Sequence, residues 1–157
     1  MSSMRVKAIE GISIGDTFTT SPRTFTEQQV MDFAKISRDY NPVHFDERFS
    51  KAMKLNGKIC HGLLVGSMLT EIGGQLGWLA TEMDFKFQKP VYFGDTIKAE
   101  LTVIDIDENG LATSEVVFTN QDGAIVLEAV VKGFAPGEPG KQVIRAMIAE
   151  GDPTNKI

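Results

Sequence analysis

The stretch GLLVGSMLTEIGGQLG, residues 62–77, predicts a helix that is apolar on nearly every side, because its only charged residue is Glu71. A helix of this kind is buried in a soluble protein. Its glycines each lower helix propensity by roughly 1 kcal/mol relative to alanine in a helix interior, which indicates that another backbone packs closely against it. We therefore predict one long buried helix. Its large apolar residues are Leu63, Leu64, Val65, Met68, Leu69, Ile72 and Leu76.

The sequence after this helix predicts antiparallel strands. Segments 82–93 and 95–107 alternate between apolar and polar residues, as half-buried strands do. Residues 110–137 hold two more strands joined by the hairpin signal NQDG, residues 120–123. The second of them, AIVLEAVVKGF at 124–134, is almost continuously apolar and is predicted to be a central strand. The alternating apolar residues are Met83, Phe85 and Phe87 in the first segment and Ile97, Ala99, Leu101 and Val103 in the next.

The sequence before the buried helix predicts a strand over about 16–24 and a helix that Thr26 and Gln29 begin with a capping box and that ends near Ser37. Asp46 can cap a second, short helix. We expect an irregular tail from about residue 136, with a short helix around 143–149. The side chains expected to face inward are Val30, Phe33, Ala34 and Ile36 on the first helix and Phe49 and Met53 on the second. The fold class is therefore α+β, a single domain over residues 1–157 with helices on one face of an antiparallel sheet.

Composition excludes several classes of function. The chain has 157 residues, of which 42% are hydrophobic, and a formal net charge of −5 with acids and bases interspersed. Without a basic block, nucleic acid and anionic membrane are not expected partners. One cysteine allows no internal disulfide, and the N-terminus lacks the apolar core of a secretory signal, so we expect a cytoplasmic protein. No apolar stretch approaches the length of about 20 residues that a membrane span needs.

The segment SRDYNPVHFDE, residues 37–47, is a candidate site because Pro42 stiffens a loop that holds Asp39 and His44. A carboxylate and an imidazole held together can activate a water, since histidine accepts and returns protons near neutral pH. The alternative is that Asp39 caps a turn and His44 is an ordinary loop histidine. Spacing does not decide between them.

A second candidate is Gly62, at the predicted N-terminus of the buried helix. The first backbone N–H groups of a helix have no partner within it, so Gly62 N–H can bind an oxygen that gains negative charge. The alternative is that Gly62 only makes a tight entry turn. Cys60 is expected to be a buried, unreactive thiol. The two histidines and one cysteine match no zinc spacing, so no metal is expected, and no phosphate-binding glycine motif is present.

The motifs together resemble the MaoC-like dehydratases, a family that includes the (R)-specific enoyl-CoA hydratases. The segment FAKISRDYNPVHFDERFSKA, 33–52, contains the family pattern D-x-N-P-x-H, and GKICHGLLVGSM, 57–68, places an H-G pair at the head of an apolar helix. FKFQKPVYFGDTI, 85–97, is also similar, and the resemblance runs over about 18–134. Many members have glycine before the aspartate, where this chain has Arg38, a departure that bears on substrate specificity more than on activity.

The resemblance implies a hotdog fold, in which a curved antiparallel sheet wraps around one long helix. It implies a homodimer or a dimer of dimers, with the thioester near the subunit interface. By position, the catalytic pair is Asp39 and His44, the oxyanion donor is Gly62 N–H, and Asn41 and Pro42 support the loop. No cofactor is implied, because CoA or the pantetheine arm of an acyl carrier is part of the substrate.

The function that the resemblance implies is reversible hydration of a short- to medium-chain trans-2-enoyl-CoA to the (R)-3-hydroxyacyl-CoA. Two alternatives stay open on the same fold, because fold alone does not determine chemistry. One is an acyl-CoA thioesterase, and the other is a non-catalytic module that binds acyl thioesters. The Asp39 and His44 pair argues against the second, since binding alone has no evident use for both groups.

Overall fold

A computed structural model describes the backbone of residues 3–157 and the side chains of residues 4–157. One antiparallel sheet contains all the strands, in the order β1-β4-β5-β6-β3, with β2 also paired to β4. The helices are α1 Ser3–Glu10, α2 Glu27–Ser37, α3 Glu47–Ala52, α4 Gly62–Gly66, α5 Leu69–Leu76 and α6 Glu138–Ala149. The strands are β1 Thr17–Thr19, β2 Arg23–Thr24, β3 Leu79–Phe87, β4 Thr96–Ile106, β5 Ala112–Thr119 and β6 Ile125–Phe134.

The core lies between one face of the sheet and the helices α4 and α5. Successive side chains of a strand point to opposite faces, and β4 buries every second residue, as its alternation predicted. Strand β6 is paired on both sides, with β5 and with β3, so the prediction of an interior strand is confirmed. The α+β class with an antiparallel sheet against an apolar helix is confirmed as well. The buried residues of the core include Val65, Met68, Ile72, Leu76, Ile97, Leu101, Val116, Phe118 and Leu127.

The buried helix predicted over 62–77 is divided into α4 and α5 at Ser67 and Met68. Both residues keep right-handed helical dihedral angles. The backbone hydrogen bonds here join residues three apart, as in a 3₁₀ helix, instead of four apart. Met68 N–H donates to Val65 O at 3.1 Å, and Thr70 N–H donates to Ser67 O at 3.0 Å. The Ser67 hydroxyl donates to Leu64 O at 2.6 Å, and a serine or threonine that binds a preceding carbonyl often bends a helix.

Helix α2 begins and ends where the sequence predicts. The Thr26 side chain accepts from Gln29 N–H at 3.1 Å, and the Gln29 side chain accepts from Thr26 N–H at 2.9 Å, which completes the capping box. Val30 and Ala34 are buried, whereas Ile36 is 82% exposed, so its predicted inward orientation is wrong. Ile36 lies two positions after Ala34, about 200° around the helix, so it faces away from the buried side of α2, which ends at Ser37.

The predicted orientation of side chains on helix α3 is also wrong. Asp46 caps it as predicted, accepting from Arg48 N–H at 2.9 Å. Phe49 and Met53, which were expected to face inward, are exposed, and the buried residue of this short helix is Ser50. The Ser50 hydroxyl donates to Val43 O at 2.8 Å, so a hydrogen bond rather than apolar packing holds α3 to the preceding loop.

The strand predicted over 16–24 is interrupted, giving β1 and β2, which both pair with β4. Between them Thr20 is buried and its hydroxyl accepts from Ala99 N–H at 3.0 Å, while Pro22 offers no N–H for a ladder. The helix predicted around 143–149 is present, but the irregular stretch expected before it is wrong, because α6 extends over twelve residues and begins at Glu138.

Helix α1 was not predicted, and it joins the tail. A buried ion pair links Arg5 Nε to Asp152 Oδ2 at 3.2 Å, and Arg5 also donates to the Thr154 hydroxyl at 3.1 Å. This contact ties the first helix to the end of the chain. Among residues 3–157, no helix combines the length and the apolar character required to cross a bilayer.

Candidate active site

The loop between α2 and α3 is stiffened by its own polar groups. Arg38 ends α2 in the left-handed conformation, with φ 61° and ψ 20°, which turns the chain away from the helix. The Asn41 side chain then accepts from Val43 N–H at 3.1 Å and begins a single 3₁₀ turn, Pro42–His44, with Pro42 at its first position. Proline suits this position because its missing N–H would have no partner there. This turn directs His44 inward.

His44 is buried, with 6% of its surface exposed. Its Nδ1 lies 2.7 Å from the carbonyl oxygen of Ile59. A carbonyl only accepts, so Nδ1 carries the hydrogen and Nε2 is left as an acceptor. Burial lowers the pKa of His44 below its ordinary value, against the opposing effects of the Ile59 hydrogen bond and the Asp39 charge. The imidazole is therefore neutral near pH 7 and ready to accept a proton at Nε2.

Asp39 faces that nitrogen. Its Oδ2 lies 3.7 Å from His44 Nε2, a distance too long for a direct hydrogen bond. Its Oδ1 accepts from Asn41 N–H at 3.1 Å, which fixes the carboxylate. The Asp39 side chain is 49% exposed, whereas His44 is enclosed, so the pair lies at the boundary between solvent and core. Two acceptors at this separation can share one water molecule.

Gly62 begins α4 close to the same histidine. Gly62 and His44 line one cavity of about 450 Å³ whose walls are mostly apolar. The ring of Phe87 packs directly on Gly62, since a Cβ placed there would lie 2.6 Å from Phe87 Cε1. The structure thus brings His44 and Gly62 to one cavity from two separate segments, and Asp39 lies beside His44 but does not line that cavity. The cavity is lined further by Ile59, Leu63, Val65, Lys89, Val91 and Leu127.

His61 also belongs to this cluster, and sequence reasoning gave it no role. It is 1% exposed, and its ring stacks on that of His44 with centroids 3.8 Å apart. Its Nε2 lies 2.9 Å from the Asp39 carbonyl oxygen. The only available signal was that the chain has two histidines and that one of them precedes Gly62. Phe87 was predicted only as part of a strand face, with no indication that its ring would reach Gly62.

Cys60 takes no part in this chemistry. The thiol is buried, and burial raises its pKa to about 11, so it stays protonated near pH 7. The prediction that this thiol is buried is confirmed, and its raised pKa agrees with low reactivity.

The same cluster does not suit a metal ion. Ligand atoms of Asp39, His44 and His61 lie within 4.8 Å of one another. Stacked imidazoles, however, direct their in-plane lone pairs along roughly parallel planes, which do not meet at one ion. One nitrogen of each ring already donates to a carbonyl, on Ile59 for His44 and on Asp39 for His61. The donor set is better arranged to move a proton.

Comparison with known proteins identifies relatives of this chain. The family model described as "MaoC like domain" matches residues 10–126. An (R)-specific enoyl-CoA hydratase of Aeromonas caviae is 32% identical over 130 residues, covering 78% of this chain and 96% of the relative. A mitochondrial 3-hydroxyacyl-[acyl-carrier-protein] dehydratase of Arabidopsis thaliana is 26% identical over 131 residues, covering 80% of this chain and 78% of the relative.

A solved structure described as the (R)-hydratase from A. caviae involved in PHA biosynthesis superposes with a TM-score of 0.74 and 27% identity, covering 81% of this chain and 99% of that one. The sheet and buried helix are therefore those of the hotdog fold, as the sequence motifs implied. The family match spans the loop with Asp39 and His44 and the start of α4 at Gly62. The chain belongs to the MaoC-like dehydratase family of hydratases and dehydratases.

Proposed function

We propose that this protein catalyses the reversible hydration of short- to medium-chain trans-2-enoyl-CoA thioesters to (R)-3-hydroxyacyl-CoA. The observation that supports it most is the 3.7 Å gap between His44 Nε2 and Asp39 Oδ2, next to an apolar cavity that Gly62 also lines. Two proton acceptors and one amide donor around an apolar space suit an acyl thioester and a water.

The two acceptors determine how the water is held. Because His44 Nε2 and the Asp39 carboxylate both accept, a water between them donates both hydrogens and turns a lone pair toward the cavity. That lone pair attacks C3 of the enoyl group while Nε2 takes up a proton. The proton is then returned to C2, so H and OH are added across the double bond. In the reverse direction the same groups remove water from the 3-hydroxyacyl thioester.

The thioester oxygen gains negative charge as C3 is attacked. Gly62 N–H is the first amide of α4 and has no acceptor within the helix, so it can donate to that oxygen. Because Gly62 has no side chain, the thioester oxygen can come close to its N–H, and the adjacent Phe87 ring limits the side from which it approaches. The reaction needs no resident cofactor, because CoA or an acyl-carrier pantetheine arm belongs to the substrate.

A homodimer is part of the proposal. Strand β3 pairs with β6 on one side, and in the described chain its other edge has no paired strand. β3 exposes Leu79, Met83 and Phe87, an apolar edge of the kind that proteins cover or charge. We expect a second copy to cover it, near the half-exposed Asp39. Met83→Lys should give a monomer, measured by size-exclusion chromatography with light scattering. Its hydration activity, measured separately, should be lower than that of the wild type. A Met83→Lys variant that stays a fully active dimer would contradict the proposed dimer interface at β3.

The test of the function is a substrate panel. Purified protein is mixed with crotonyl-CoA and with longer enoyl-CoA esters, and hydration is followed as loss of enoyl absorbance. Chiral analysis of the product should show the (R) alcohol. The same acyl groups on an acyl carrier protein, measured in parallel, show which handle is preferred. A cytoplasmic location stays a prediction from the cysteine content.

Other outcomes would replace the proposal. Release of free thiol without loss of the enoyl group would indicate a thioesterase. Tight binding of the esters with no turnover would indicate a binding module. An (S) product would contradict the stereochemical part alone.

A further inference from the structure

His61 contacts both members of the proton-transferring pair. Its Nε2 lies 2.9 Å from Asp39 O, and its ring stacks on His44 at 3.8 Å with 29° between the planes. Phe33 packs at 5.0 Å and Phe45 at 6.1 Å from the same ring. The His61 imidazole is thus in contact with Asp39 and His44 and is enclosed by two phenylalanine rings.

The hydrogen bonds define the state of this ring. A carbonyl accepts, so Nε2 of His61 carries a hydrogen. Its Nδ1 is buried and has no hydrogen-bond partner among residues 4–157. His61 therefore donates from Nε2, whereas His44 donates from Nδ1.

The position of His61 in the chain adds a third connection. His61 is the residue before Gly62 and caps α4 without a side-chain hydrogen bond to the helix. Its side chain is instead directed to the loop that holds Asp39 and His44. One residue therefore joins the loop that activates water to the backbone amide that would bind the thioester oxygen.

We infer that His61 is a positioning residue, which sets the distance and orientation of Asp39 and His44 relative to Gly62 N–H. This inference rests on the proposed function, because the three groups have to act on one substrate. A misplacement of about 1 Å in such an arrangement can cost about 100-fold in rate. His61 itself exchanges no proton in this scheme, since its one free nitrogen is closed off from the cavity by burial.

Two variants separate the contacts of His61. His61→Phe keeps a planar ring against His44 but removes the donor to Asp39 O. His61→Gln keeps an N–H near the position of Nε2 but removes the ring. With crotonyl-CoA, we expect His61→Phe to lower kcat about 10- to 100-fold with KM within about twofold of the wild type. His61→Gln should recover part of that loss, and the melting temperature of His61→Phe should be unchanged or higher.

Nitrogen NMR of protein labelled at histidine shows which nitrogen of each imidazole carries the hydrogen. Core packing alone would not fix that nitrogen. The chain has two histidines, so every imidazole signal belongs to His44 or His61. In the wild type the hydrogen should lie on opposite nitrogens of the two rings, on Nε2 of His61 and on Nδ1 of His44.

The outcomes distinguish this inference from the proposed function. Two rings of the same tautomer, or His61→Phe with wild-type kcat, would overturn the inference while the hydratase function stands. Equal losses of kcat in both variants, in proportion to lost thermal stability, would assign His61 a purely structural role and overturn it too. A wild type inactive on every enoyl thioester would remove the proposed function and this inference with it.

Discussion

The sheet β4–β6 and the loop 38–44 are held in place by different forces. The sheet buries alternate apolar side chains, Phe118 among them, against α4 and α5. The loop is held by hydrogen bonds to backbone groups, such as His44 Nδ1 to Ile59 O and His61 Nε2 to Asp39 O. Apolar burial depends on volume and tolerates exchange, whereas these hydrogen bonds depend on particular atoms. Changes to the sheet should therefore alter stability, and changes to the hydrogen-bonded side chains of the loop should alter the rate.

The largest effect on stability is expected from Phe118→Ala, because Phe118 is fully buried. Removing a buried phenylalanine ring costs about 3–5 kcal/mol of unfolding free energy. Denaturant unfolding measures it, with Ile125→Ala, a half-exposed residue of β6, as the control. The folded fraction should keep a normal kcat. A loss below about 1 kcal/mol would mean that this core is less tightly packed than the contacts indicate.

Gly62→Ala tests the opposite behaviour in the site. The added Cβ would lie 2.6 Å from Phe87 Cε1, so the half-exposed ring has to move toward the cavity mouth. We expect kcat/KM to fall about tenfold with an unchanged melting temperature. Gly66→Ala is the matched control, because its Cβ would meet the Phe85 ring at 3.0 Å outside the cavity. Equal losses of activity in both variants would contradict a special role for Gly62.

Arg38→Gly should stabilise the protein by about 1 kcal/mol, because a residue with a side chain pays this cost in the left-handed conformation. The matched control is Lys54→Gly, with φ 62° against 61° at Arg38. Calorimetry should show similar gains for both. A change in KM for Arg38→Gly alone would assign Arg38 an influence on substrate, and a loss of stability in both variants would contradict the strain.

The smallest expected effect is a shift of the pH profile. His44 must be neutral to accept a proton, and burial lowers its pKa below 6.5. The hydration rate should therefore hold through pH 6.5 and fall only as the pH drops through the lowered pKa. The neutral form is favoured in the folded state, so this residue's contribution to stability is also lost in that direction. An acid limb centred above pH 6.5 in kcat/KM would contradict the burial effect.

The sequence predicted most of the sheet, and for the candidate site it indicated the segments but not the contacts between them. Alternation identified the buried face of β4, and the capping box located α2, because both signals are local. Ile36, Phe49 and Met53 were placed inward by helical spacing, but spacing does not show which side of a short helix meets the core. Ile36 lies about 200° around α2 from the buried Ala34, and α3 directs Ser50 to the preceding loop through its hydrogen bond to Val43 O.

The site shows the same limit. Asp39, His44 and Gly62 were found from residue type and motif, but their convergence comes from contacts far apart in sequence. His61 donates a hydrogen bond to the carbonyl of Asp39, 22 positions away. A sequence pattern of side chains does not predict a hydrogen bond to a distant backbone atom. Phe87 reaches Gly62 only because β3 runs back along α4. Helix α1 and its ion pair with Asp152 had no motif either.

The central claim is that Asp39 and His44 hold and deprotonate one water. The most direct measurement is the rate of crotonyl-CoA hydration by Asp39→Asn and by His44→Gln, with the exposed acid variant Asp32→Asn as the control. We expect kcat to fall by about 10²–10⁴-fold in the two site variants, with folding intact and the control unchanged. Full activity in either folded site variant would contradict the claim.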